Sequence, residues 1–192
     1  MKKVEIADLA QHLLIVSRLK RRKKGAECTA TCDFECIQSR LAGEVYGFDG
    51  GKKVKGRKRH ILVDTLGLLL EVIVTEANGS ERINGLALLL ESQENLDRLE
   101  LIWVDQGYQG ARFKRGVESL SSAKVEVMKR EGKGFQLLAR RWVVERTFAW
   151  LMKKRRLVVD YETLSETSES FVYITMIHLM LKRLANNKTT AV

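Results

Sequence analysis

The stretch "HILVDTLGLLLEVIVTEA", residues 60–77, constrains the fold more than any other part of the chain. Two apolar runs rich in β-branched residues flank Thr65-Leu66-Gly67, a turn signal with a glycine where the chain must reverse. This spacing predicts a β-hairpin. Downstream of it the pattern alternates: "SERINGLALLLESQENL" has helical spacing, "LELIWVD" is a buried strand ending at Asp105, "QGYQGARFKRGVESL" a turn and helix, and "KVEVMKR" a further strand. Upstream, "ECTATCDFECIQS" is short, small or β-branched, and is assigned as a strand containing Asp33. Two antiparallel strands followed by strand-helix alternation predict an α/β fold, a mixed sheet with helices on both faces.

The ends are more polar. Val4, Leu9, Leu13 and Val16 predict a short N-terminal helix, and a basic run from Arg18 to Lys24 reads as a charged linker. The expected organisation is therefore a helix and linker over 1–27, one domain over 28–186 and a polar tail over 187–192. The polar, glycine-rich "AGEVYGFDGGKKVKGRKR" is read as a loop leading into the hairpin.

Lys and Arg number 34 against 24 Asp and Glu, a formal net charge of +10 in 192 residues. A surplus of this size points to a polyanionic partner, nucleic acid first and an anionic membrane second. A bilayer span needs about 20 apolar residues. The longest uncharged part of the C-terminal helix, Ser170 to Leu181, has 12. Leu13 to Val16 is too short for a signal-peptide core, so the expected location is cytoplasmic. Cys28, Cys32 and Cys36 match no common zinc spacing, and their odd number is best read as reduced thiols.

Chemistry concentrates at two acids. Asp105 ends an apolar strand, where open α/β sheets place their sites, although a turn or N-cap aspartate would sit there too. Glu145 is the lone acid of "ARRWVVERTFAWLMKKRRL", in a helix whose Trp142, Val143, Val144, Phe148, Ala149 and Leu151 suggest extensive burial. Such an acid needs a cation or a metal, and Arg141, four residues earlier on the same face, offers an ordinary ion pair. The basic runs make phosphate contact the expected use of Lys52, Lys53, Lys55, Arg57, Lys58 and Arg59, and of Arg141, Arg146, Lys153 and Lys154. "GGKKVKGRK" lacks the order of a P-loop. His60, at a strand start, is read as structural.

Three blocks in sequence, "GFDGGKKVKGRKRHILVDTLGLLL", "LIWVDQGYQG" and "RRWVVERTFAWL", resemble the DDE transposases of bacterial insertion sequences, over about Asp33 to Ala185. The resemblance implies an RNase H-like catalytic domain with two aspartates and a glutamate holding two divalent ions, Mg²⁺ or Mn²⁺. It implies metal-dependent cleavage and strand transfer of DNA, with element terminal inverted repeats and target DNA as partners and a homodimer when active. The aspartate of the "D-x-G-Y" block is Asp105 and the glutamate of the "W-V-V-E-R" block is Glu145. In the pattern Y-x-x-R-x-x-x-E followed by a lysine, Arg141 is the arginine. Leu138 replaces the tyrosine and Met152 the lysine, leaving Lys153 or Lys154 to supply that cation.

For the first acid, Asp33, Asp49 and Asp64 compete. In an RNase H-like sheet the strand ending at Asp64 runs against the one ending at Asp105, which removes Asp64. Asp33 ranks first because a strand holds a ligand more rigidly than a loop, and Asp49 is the alternative. Asp33 begins Asp-Phe-Glu-Cys where the family writes a D-S-Q-S-like stretch, but it lies 16 residues before Asp49, in keeping with the family's spacing. Only 32 residues precede Asp33, fewer than the family's N-terminal DNA-binding region, so a truncated or split-frame copy is expected. The alternative function is a catalytically inactive, DNA-binding remnant.

Overall fold

The computed structural model describes residues 3–20, 29–41, 43, 45–92, 99–128 and 139–186. Within them six strands form one sheet: β1 (Thr29–Gln38), β2 (Gly47–Asp49), β3 (Val54–Asp64), β4 (Leu69–Glu76), β5 (Leu101–Val104) and β6 (Lys124–Val127). The hairpin expected from residues 60–77 is β3–β4, and its turn is closed by Asp64, whose Oδ1 accepts from the backbone N–H groups of Leu66 and Leu68 at 2.9 and 2.8 Å. β2 and β4 lie end to end along one edge of β3, both antiparallel to it. On its other edge β3 is antiparallel to β1, which is parallel to β5, which is parallel to β6.

Every residue of β3 from Gly56 to Asp64 is buried, as a strand covered on both faces requires. On one face lie α2 (Glu81–Glu91), the 3-10 turn Gln106–Tyr108 and α3 (Ala111–Leu120), where Tyr108 packs between Phe34 and Phe113. Opposite are α4 (Ala139–Met152), the single turn α5 (Arg155–Val158) and α6 (Ser165–Asn186), with α1 (Lys3–Lys20) against α6. Helices on both faces of a mixed sheet are the architecture expected.

Three details depart from the sequence reading. The glycine-rich segment holds a short strand, β2, because the ladder of β3 continues past β4 and offers Gly47–Asp49 a partner. The N-terminal helix extends through Lys20 into the basic run, and its Ile6, Ala10 and Leu14 join the common core. Residues 93–96 and 129–130, assigned to the ends of a helix and a strand, lie outside the described residues, as do Cys28 and the tail 187–192.

Candidate active site beside the carboxyl end of β5

The parallel register pairs Cys32 with Val104, so the next residue on each chain, Asp33 and Asp105, stand side by side at the sheet's centre. Phe34 faces Tyr108, and strand alternation therefore turns Asp33 to the α4 face. Asp33 is 6 % exposed, and its Oδ1 accepts from the N–H of Phe34 at 2.8 Å. Burial pushes its carboxyl up to about 7; the Phe34 hydrogen bond opposes this and the neighbouring charge of Asp105 adds to it. Asp105 caps the 3-10 turn by accepting from Gln106 N–H at 2.8 Å, so the N-cap role and the strand-end position coincide.

Glu145 reaches this pair through a cation. Nη1 of Arg141 lies 3.4 Å from Asp105 Oδ1, and Nε of the same guanidinium lies 3.0 Å from Glu145 Oε1. Burial of Glu145 does not hold: its side chain is 48 % exposed. The stripe that α4 buries is Val144, Thr147 and Leu151, and Glu145 lies one residue round from it. Trp142, expected among the apolar residues of a buried helix, is 47 % exposed for the same reason. α4 is seated by Thr147 Oγ1 donating to Gly67 O at 2.8 Å and Arg146 Nη2 donating to Leu66 O at 3.1 Å.

The other candidates separate by burial. Asp49 belongs to its own turn: its Oδ1 accepts from the N–H groups of Gly51 and Lys52, and its Oδ2 from Cys36 Sγ at 3.1 Å. These bonds, Lys52's first, hold its carboxyl below the usual range. Lys52, Lys53, Lys55, Lys153 and Lys154 are exposed, whereas Arg57, Lys58 and Arg59, expected to contact phosphate, are buried. Arg57 donates to Asp160 and to the carbonyls of Val45 and Thr163, and Arg59 to Glu35 and the carbonyl of Leu157. Lys58 bonds the carbonyl of Gly79 and pairs with Glu81 at 3.5 Å. A strand covered on both faces keeps these charges inside, where fixed partners must compensate them. His60 is structural, as expected, bonded to Tyr108 and Thr75.

Sequence reasoning did not anticipate Lys52 as a neighbour of the site. Its Nζ lies 4.3 Å from the centre of the Phe34 ring, and its charge favours ionisation of Asp33. The signal was the residue's place in a turn of "FDGGKK", which became informative only once β2 fixed the path of that turn.

The donors at the sheet's centre are carboxylate oxygens alone, the set hard Mg²⁺ or Mn²⁺ prefers, and buried Asp33 has no ion-pair partner among the described residues. The residues fit a divalent ion. As they stand, no three Asp, Glu, His or Cys groups among the described residues converge on one ion position, because the guanidinium of Arg141 lies between Asp105 and Glu145.

The sheet order and the acids beside its central strands can be set against known proteins. The profile of the "Transposase DDE domain" family matches residues 19–180, and the chain belongs to that family. It is 31 % identical over 125 residues to a putative transposase for insertion sequence element IS402 from Burkholderia cepacia, a match covering 61 % of this chain and 59 % of that protein. The chain thus spans less than two thirds of that relative. Among solved structures, the catalytic core domain of BIV integrase superposes with a TM-score of 0.52 at 12 % identity, over 85 % of this chain and 99 % of that one. A chain of the simian T-cell lymphotropic virus intasome gives 0.52 at 15 % identity, over 81 % and 49 %. The fold is RNase H-like.

Proposed function

We propose that this chain is the catalytic domain of an insertion-sequence transposase that cleaves DNA and joins strands with the help of two divalent ions, Mg²⁺ or Mn²⁺. One observation carries the proposal: Asp33, midway along β1, stands beside Asp105 at the end of the parallel strand β5, and Glu145 is tied to Asp105 through Arg141. The similarity to a putative transposase of an insertion element supports the same reading.

Two bound ions would stabilise the attacking and leaving oxygens of an in-line displacement at phosphorus. Asp33, Asp105 and Glu145 are the residues to hold them, with Asp49 as the alternative first acid. Asp33 and Asp105 supply oxygens whose separation is set by the backbone ladder, and Glu145 supplies the third carboxylate from the helix above. Burial makes the charge of Asp33 costly, and a bound cation would favour it. The exposed Lys52, Lys53, Lys55, Lys153 and Lys154, with Arg141 and Arg146 of α4, bind the phosphate backbone without reading bases. The partners are the element's terminal inverted repeats and target DNA, met by a homodimer in the bacterial cytoplasm. Among the described residues no helix is long and apolar enough to cross a membrane.

The test is nicking of a duplex carrying an element end in Mg²⁺ or Mn²⁺. Asp105→Ala and Glu145→Ala are each expected to abolish nicking with DNA affinity nearly intact, since a carboxylate is lost while the basic surface stays. Nicking by either variant at the wild-type rate would remove that residue from the site.

A further inference from the structure

Contact with the phosphate backbone does not account for where Arg141 stands in the DNA-free protein. Its guanidinium stands between two carboxylates, 3.4 Å from Asp105 and 3.0 Å from Glu145, and its own side chain is only 25 % exposed. Both contacts are longer than the roughly 2.7–2.9 Å of a strong charge-assisted hydrogen bond. The Nε, although buried, has no aligned acceptor, so its contact with Glu145 is an ion pair without a hydrogen bond. The cation is therefore held by charge more than by directed bonds, a type of hold that a stronger cation can replace.

Asp105 and Glu145, drawn to one guanidinium, repel each other in the absence of a counter-charge, and Asp33 adds its own charge beside Asp105. Lys52 acts on Asp33 from the side of the Phe34 ring, but among the described residues the ion pairs of Asp105 and Glu145 are both to Arg141. A single positive charge makes the arrangement tolerable before ions arrive. It also ties Glu145, half-exposed as it is, to Asp105.

We propose that Arg141 is a resident counter-cation, holding Asp105 and Glu145 together in the metal-free protein and giving up Glu145 when divalent ions enter. Arg141 then opposes ion binding twice: its charge repels the incoming ions, and its ion pairs lower the free energy of the ion-free state. Because Arg141 and Glu145 are four residues apart on α4, the released guanidinium stays at the rim of the site. Arg141 is thus a positioning residue that sets the ion concentration at which the site assembles. This rests on the reading of Asp105 and Glu145 as ion ligands.

The experiment is a titration of the full chain with Mn²⁺ in the absence of DNA, following free Mn²⁺ by electron paramagnetic resonance, for wild type, Arg141→Gln, Arg141→Lys and Asp105→Asn. Arg141→Gln is expected to bind Mn²⁺ about tenfold more tightly than wild type, a gain that loss of a merely structural residue would not produce. Arg141→Lys, which keeps the charge but cannot bridge both acids, is expected to fall between them. Equal or weaker binding by Arg141→Gln, with Asp105→Asn unable to bind, overturns the role of Arg141 and leaves the ion site standing. Binding by Asp105→Asn at wild-type affinity overturns the ion site and this inference with it. Should Arg141→Gln fail to fold by circular dichroism, Arg141→Lys decides: tighter than wild type supports the proposal, and equal or weaker overturns it.

Discussion

Arg57 and Asp160 meet at 3.2 Å with both side chains closed off from solvent, 103 residues apart in the chain. The pair pins the far end of β3 to the segment between α5 and α6, and Asp160 also accepts from Ser168 Oγ at 2.8 Å. Arg57→Met would leave that carboxylate buried without its cation, and a loss of about 3–5 kcal/mol is expected in urea denaturation. Adding Asp160→Asn, which keeps an acceptor and drops the charge, should restore part of the loss. A single variant as stable as wild type would mean that the pair does not hold β3 to that segment.

Gly67 has φ +74, and a Cβ there would stand 2.7 Å from Thr147 Oγ1 and 3.1 Å from the Trp150 ring. Gly67→Ala therefore strains the turn and pushes α4 off its seat. The expected cost is about 1–3 kcal/mol in thermal unfolding. Because α4 carries both Arg141 and Glu145, nicking should fall by more than the lost folded fraction accounts for, which rate measurements well below the melting temperature would register.

Removing exposed lysines should change how DNA binding responds to salt. The slope of log affinity against log salt is expected to flatten by about 0.9 for each phosphate that is no longer neutralised. Lys52→Ala, Lys53→Ala and Lys55→Ala combined should show this on a labelled duplex. An unchanged slope would take these three residues out of the DNA surface.

His60 gives a stability signature in acid. Burial, then the charges of Lys58 and Lys52, lower its pKa from 6.5 to about 3. The unfolded chain takes up that proton first, so the stabilising contribution is full above pH 6.5 and is lost as pH falls toward 3. His60→Gln, which removes the titration, should show a shallower decline than wild type across that window in urea midpoints measured at several pH values. Parallel declines would show that His60 does not titrate there.

Period and punctuation made most of the sheet legible. The hairpin around Gly67 and the strand ending at Asp105 follow from apolar runs bounded by turn residues, and the resemblance of three blocks gave the class of fold. Side-chain burial was less legible where it depended on the third dimension. "GRKRH" has the composition of a solvated surface, yet Arg57 and Arg59 are fully buried because β1 and β4 flank the strand and helices cover it. On α4 the error ran the other way: Trp142 suggested a core face, but the buried stripe is set by Val144, Thr147 and Leu151. β2 had no signal of its own, since three residues become a strand only when a neighbour offers them a ladder.

The parallel pairing of β1 with β5 gives the three acids unequal freedom. Asp33 and Asp105 cannot part without breaking backbone hydrogen bonds at the centre of the sheet, whereas Glu145 rides on a helix that meets the sheet through side chains and one hairpin turn. The site behaves as a vice with one fixed jaw and one sliding jaw. Sequence change in α4, or in the turn on which it sits, can reset the opening of that vice while the two aspartates hold their places.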